Sequence, residues 1–170
     1  LPMGELDGRP IYLPAAQYHP KPFNCEMPQL YRIFPYSPEG LEASEKQIGR
    51  NTYTDWDWTE DQKLLVSWHQ NGIFAARLNL IEEAMRIHLY KLGDSGRRFP
   101  AFWGPGHDWT PDHNWGGSGM IGLQEMLLQE VDNKILLFPA WPKDWNVRFK
   151  LCARGNTTVE VSLENGLIRT

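Results

Sequence analysis

Residues 104–115, Gly-Pro-Gly-His-Asp-Trp-Thr-Pro-Asp-His-Asn-Trp, gather two Asp, two His, two Trp and an Asn in a run broken by glycine and proline. Each type has a use. Carboxylates activate water or stabilise positive charge, and imidazoles move protons. Indole rings stack on the apolar faces of sugars, while amides fix hydroxyls. Asp112-His113-Asn114-Trp115 stands just before an apolar stretch read as a helix from Ser118. The positive end of that helix would favour an ionised carboxylate, which suits Asp112 to work as a base rather than a proton donor. The simpler reading of the same Asp is a helix N-cap. Trp103, His107, Asp108, Trp109, His113, Asn114 and Trp115 are the expected walls of a pocket around it. The same His and Asp residues could ligate a metal, but their spacing fits no defined zinc motif, so neither metal nor cofactor is expected.

Two further clusters join this set. In Thr-Asp-Trp-Asp-Trp-Thr-Glu-Asp, residues 54–61, Trp58 and Asp61 are candidate substrate-binding groups. Glu60 and Asp61 are also explained by the dipole of the helix they open. In the aromatic loop 18–26, Glu26 is a candidate second carboxylate, which no motif supports as an acid. His69 and His88 fall on helical stretches and are read as packing residues.

These groups need elements to hold them. Leu30, Ile33 and Phe34 predict a short helix that Pro35 ends. Residues 39–49 predict a second, closed by Gly49. Thr59-x-x-Gln62 reads as a capping box opening a long helix that continues to residue 79. Asn79-x-x-Glu82 repeats that logic for a helix with Ile81, Ala84, Met85, His88 and Leu92 on one face, closed by Gly93. The helix from Ser118 is apolar nearly all round and should be deeply packed. Beyond Asp132, residues 134–140 read as an apolar strand, and alternating runs at 146–154 and 157–168 predict antiparallel strands with a turn at Asn165-Gly166. Residues 1–25 read as loop with a short extended piece. A helical unit, 1–131, followed by a β unit, 132–170, is therefore expected.

Composition narrows the classes. The 170 residues suffice for one core, and a net charge of −4 without a dense Lys/Arg cluster argues against nucleic acid. No apolar run reaches membrane-spanning length. Eight tryptophans are many for this length, and several fall in loop-like sequence. Cys25 and Cys152 lack metal-type spacing and are read as buried free thiols, with a long-range disulfide as the alternative.

Pro-Asp-His-Asn-Trp-Gly-Gly with its "GMIGLQEMLLQ" helix, "ILLFPAWPKDW" and "FKLCARGNTTVEVSLENG" together resemble the end of the catalytic domain of glycoside hydrolase family 95, which contains α-L-fucosidases and some α-L-galactosidases. The similarity runs over roughly residues 24–168. It implies a mainly α fold, part of an (α/α)6 toroid with a C-terminal β-sandwich. It also implies inverting hydrolysis of an α-linked sugar, with Asp112 helping to polarise the group that activates water. His113 stands where the family has glycine and Trp115 where it has phenylalanine, and the family's general acid lies upstream of the matched region. A secreted, periplasmic or cell-surface location follows from the resemblance. The expected partners are an oligosaccharide or glycan and, because five helices are too few for a toroid, an N-terminal part of the same domain. A non-catalytic carbohydrate-binding module and a metal-dependent hydrolase are the competing readings.

Overall fold

The computed structural model describes residues 1–19, 26–36, 40–55, 68–94 and 113–169. Among them the chain forms a mixed α/β structure: 38% is helical and 26% is strand, in three small antiparallel sheets. This overturns the expected mainly α toroid. The reason is visible in two hairpins that helical periodicity does not register. Strands β1 (Met3–Leu6) and β2 (Arg9–Tyr12) turn at Asp7-Gly8, and β3 (Leu128–Val131) and β4 (Lys134–Leu137) turn at Asp132-Asn133. All four turn residues have positive φ, which gives a two-residue loop the twist that flanking strands need. The β3–β4 hairpin also crosses the expected boundary at 131/132.

Helix α1 (Ala43–Asp55) receives the first hairpin: Tyr12 N–H donates to Thr52 Oγ1 at 2.9 Å, and Asn51 Nδ2 donates to the Pro10 carbonyl at 3.0 Å. Gly49 does not end this helix. It lies inside it, and a Cβ there would come within 2.6 Å of Ile33 and Leu78, so the glycine permits close packing. Instead of the short helix expected around Leu30–Phe34, a 3-10 turn, Pro28–Leu30, leads to Ile33; both Leu30 and Ile33 are fully buried with Tyr12, Phe74 and Leu78.

Helix α2 (Asn71–Arg77) is buried at every residue and is the central post. The long helix expected to reach it breaks at His69-Gln70; its capping box and residues 60–67 lie outside the described residues. Helices α3 (Ile81–Leu92) and α4 (His113–Leu127) pack on α2, sharing a core of Ala75, Ala76, Ala84, Ile87 and Met126. Asn79 is not a cap for α3. It takes a left-handed turn, accepts from Lys46 Nζ at 2.8 Å and donates to the Pro139 carbonyl at 2.8 Å. Gly93 does follow α3 directly.

Helix α4 starts five residues before Ser118 and is not buried all round, since Met120 and Ile121 face solvent. After β4, strands β5 (Val147–Ala153), β6 (Thr157–Glu164) and β7 (Leu167–Arg169) form a meander. Its inner face sets Phe149 and Val161 against Leu127 at the end of α4, with Phe138 edge-on to Phe149 at 5.5 Å. The outer face carries Arg148, Lys150 and Glu160. Cys152 is a free, exposed thiol rather than a buried one, because β5 turns it away from that core. No described helix is long and apolar enough to cross a membrane.

Candidate functional site

The described part of the motif is the first turn of α4. His113 and Asn114 are exposed at its mouth; Trp115 and Gly116 turn inward. The sequence places Ser118 and Gly119 on the inner side as well, three and four residues after Trp115 and on the same helical face.

Trp115 does not offer a stacking face to a sugar. It is 1% exposed, and its Nε1 donates to the Lys91 carbonyl at 2.6 Å. Its position in the helix, rather than in a loop, explains the difference. The Lys91 ammonium lies 5.8 Å from the centre of the same indole, within range of a cation–π attraction. Lys91 is itself buried; its Nζ donates to the His69 carbonyl at 2.9 Å and to Ser118 Oγ. Ser118 closes the circle by donating to the Trp115 carbonyl at 3.2 Å. A cation so enclosed needs these hydrogen bonds to offset its desolvation. The result is a rigid joint between the end of α3 and the start of α4.

One turn deeper, His88 fills a notch between two backbones. A Cβ at Gly122 would lie 2.2 Å from its Nε2, and one at Gly72 would lie 2.8 Å from its Cε1. Its Nδ1 donates to the Ala84 carbonyl at 2.7 Å. Burial holds its pKa below the ordinary value; the bond to Ala84 opposes this and the Lys91 charge reinforces it. Neither His69 nor His88 reaches the surface, so both pack, although His69 sits before α2 rather than on a helix. Its ring stacks on Trp68 at 4.8 Å.

Glu26 is half-buried, and the Tyr31 hydroxyl donates to its carboxylate, tying the chain to the 3-10 turn. Asp112, Trp103, His107, Asp108, Trp109, Trp58 and Asp61 lie outside the described residues. Among the described residues no His, Cys, Asp and Glu grouping could hold a metal ion.

Two residues at this mouth were missed in the sequence. Tyr90 is half-exposed with its ring 6.0 Å from Trp115, which makes it the aromatic surface that Trp115 is not. Lys91 shares the helix face of Ala84, Ile87 and His88; a lysine on an apolar stripe is the signal that could have found it. The start of α4 carries the positive end of its helix dipole. The chain matches no protein-family model and no curated protein.

Proposed function

We propose that the chain is the sugar-handling part of a glycoside hydrolase. The reading is inverting cleavage of an α-linked sugar such as L-fucose or L-galactose, with Asp112 assisting water activation. The observation that supports it most is the joint at α4. The motif of residues 112–117 runs into a helix whose first turn is fixed by Trp115, Lys91 and Ser118, and which presents His113 and Asn114 outward. An inverting hydrolase needs a water held in a fixed direction beside a base, and a clamped helix mouth supplies direction. A helix start favours the ionised form of a carboxylate placed beside it, which is the form a base requires. The resemblance to family 95 supports the reading through this motif and the stretches after it, not through a toroid.

The test is turnover of aryl α-L-fucoside and α-L-galactoside by the intact protein, with the anomer of the released sugar followed by NMR. Asp112→Asn should lower kcat by about 10²–10⁴-fold, the range for loss of a general base, and leave the melting temperature nearly unchanged. Full activity in that variant removes Asp112 from the mechanism. Binding of these sugars without turnover would instead favour a non-catalytic carbohydrate-binding module.

A further inference from the structure

We infer that Asn165 is a modification site: it deamidates spontaneously through Gly166, and the product loosens the edge strand β7. The chain has two Asn-Gly pairs, Asn71-Gly72 and Asn165-Gly166. In such a pair the glycine puts no side chain in the way of its own nitrogen. The fold treats the two differently. Asn71 is 6% exposed in the first turn of α2, and a Cβ at Gly72 would already stand 2.8 Å from His88 Cε1 and 3.1 Å from Ile87 Cγ2. A backbone packed that closely cannot swing over the side chain before it. Asn165 and Gly166 are both exposed, in the two-residue turn between β6 and β7. The space beside Gly166 is open, since an added Cβ would meet only the Lys143 carbonyl oxygen, at 3.7 Å. The Asn165 backbone N–H donates to Asn146 Oδ1 at 2.8 Å, but among the described residues nothing bonds its side-chain amide.

The Gly166 nitrogen forms a bond to Asn165 Cγ, and the side-chain amide leaves as ammonia with the proton that the nitrogen gives up. The five-membered imide then takes up one water at either carbonyl. One opening gives aspartate at position 165; the other gives isoaspartate, in which the main chain runs through the side-chain carbon. One water is consumed and one ammonia released, with no oxidation or reduction. For the attack the turn must flatten from its left-handed form, φ 52° at Asn165 and 75° at Gly166. Little resists this, because β7 is three residues long, exposed at each and paired only with β6. Edges of this kind open at a small fraction of the global unfolding free energy. Isoaspartate adds a carbon to a turn whose geometry sets the register of Leu163 opposite Ile168. β7 then detaches, while β5 and β6 stay joined along the whole length of β5 over Phe149 and Val161. None of this depends on the glycosidase reading.

The folded protein is aged in mildly alkaline buffer, beside a sample in urea, and both are mapped by peptide mass spectrometry with isoaspartyl methyltransferase labelling. In the folded sample, product should form at Asn165 at least about tenfold faster than at Asn71, a factor that about 1.4 kcal/mol of difference in opening supplies. In urea the two rates should converge. In the isoaspartate fraction, amide exchange of residues 167–169 should rise while that of β5 stays unchanged. Asn165→Gly keeps a turn that favours glycine and should show neither change after ageing. Asn165→Asp brings the charge without the extra carbon and should keep β7 protected when fresh. Reaction at Asn165 no faster than at Asn71 in the folded protein, β7 exchange unchanged in the isoaspartate fraction, or equal loosening in fresh Asn165→Asp overturns the inference.

Discussion

Two glycines on α4 should respond in opposite directions to the same substitution. In a helix interior Ala is better than Gly by about 1 kcal/mol. Gly117 meets no described atom within 4 Å of an added Cβ, so Gly117→Ala should realise most of that gain. At Gly122 the added carbon would lie 2.2 Å from His88 Nε2 and 2.7 Å from Cε1. The imidazole has no easy retreat, since Nδ1 is bonded to the Ala84 carbonyl and Cε1 already crowds Gly72. Overpacking a filled core costs about 1–3 kcal/mol, and a contact this short belongs at the upper end; set against the propensity gain, a net loss of about 2 kcal/mol remains. With a urea m-value of about 2 kcal/mol/M, the unfolding midpoint should fall by about 1 M in Gly122→Ala and rise by a few tenths in Gly117→Ala. The His88→Ala background supplies the control. There the notch is empty, and Gly122→Ala should become stabilising. A raised midpoint for Gly122→Ala, or an equal loss with His88 removed, would refute the claim that His88 sets the distance between α2, α3 and α4.

Three further outcomes follow from the same interior. His88 has a lowered pKa, so the unfolded chain takes up the proton first as pH falls below about 6.5; stability should drop there by up to about 1.4 kcal/mol per pH unit, and His88→Gln should flatten that part of a pH series of urea melts. Glu125 has the opposite sign: with its pKa raised, its contribution is complete below the ordinary carboxylate value and is lost as pH rises through the folded one, a trend that Glu125→Gln should abolish in the same series. Lys91→Met keeps the aliphatic packing but leaves the His69 carbonyl and Ser118 Oγ without their donor, which should cost about 1–3 kcal/mol by thermal melting, whereas an unchanged melt would show that the joint is not structural.

The strands with clean alternation were legible in the sequence. Val147, Phe149 and Leu151 stand opposite Leu163, Val161 and Val159 of β6, so two alternating runs share one apolar face. The Asn165-Gly166 turn follows from two residues that tolerate positive φ. Helix interiors were legible too, but apart from Gly93 after α3 their ends were not. Gly49 and Gly122 have the same composition signal as a helix terminator, yet the first admits Ile33 and Leu78 and the second admits His88; tertiary approach decides both. The first hairpin carries an Asp-Gly signal, but Pro10 and the flanking polar residues hide the alternation around it. At the candidate site, aromatic enrichment marks a helix end but cannot say which ring faces outward. Trp115 and Tyr90 exchange the roles that composition alone would give them, because the helix starts at His113 and turns the indole toward Lys91.

The burial of Trp115 fixes the direction of the two residues before it in the same helix. At about 100° per residue, a helix cannot present three consecutive side chains to one side. If His113 and Asn114 face outward, residue 115 must face in, and an indole there holds the turn by packing and by one hydrogen bond to α3. The other end of α4 is held by different means: Gln129, just beyond it, donates to the Ala76 and Glu125 carbonyls, each at 2.9 Å. Between them His88 fixes the spacing to α2. A rod of 15 residues pinned at its start, middle and end is about 22 Å long and cannot tilt without breaking one of these contacts. Groups carried at its mouth thus inherit their direction from the core, which the proposed orienting of a water molecule would need.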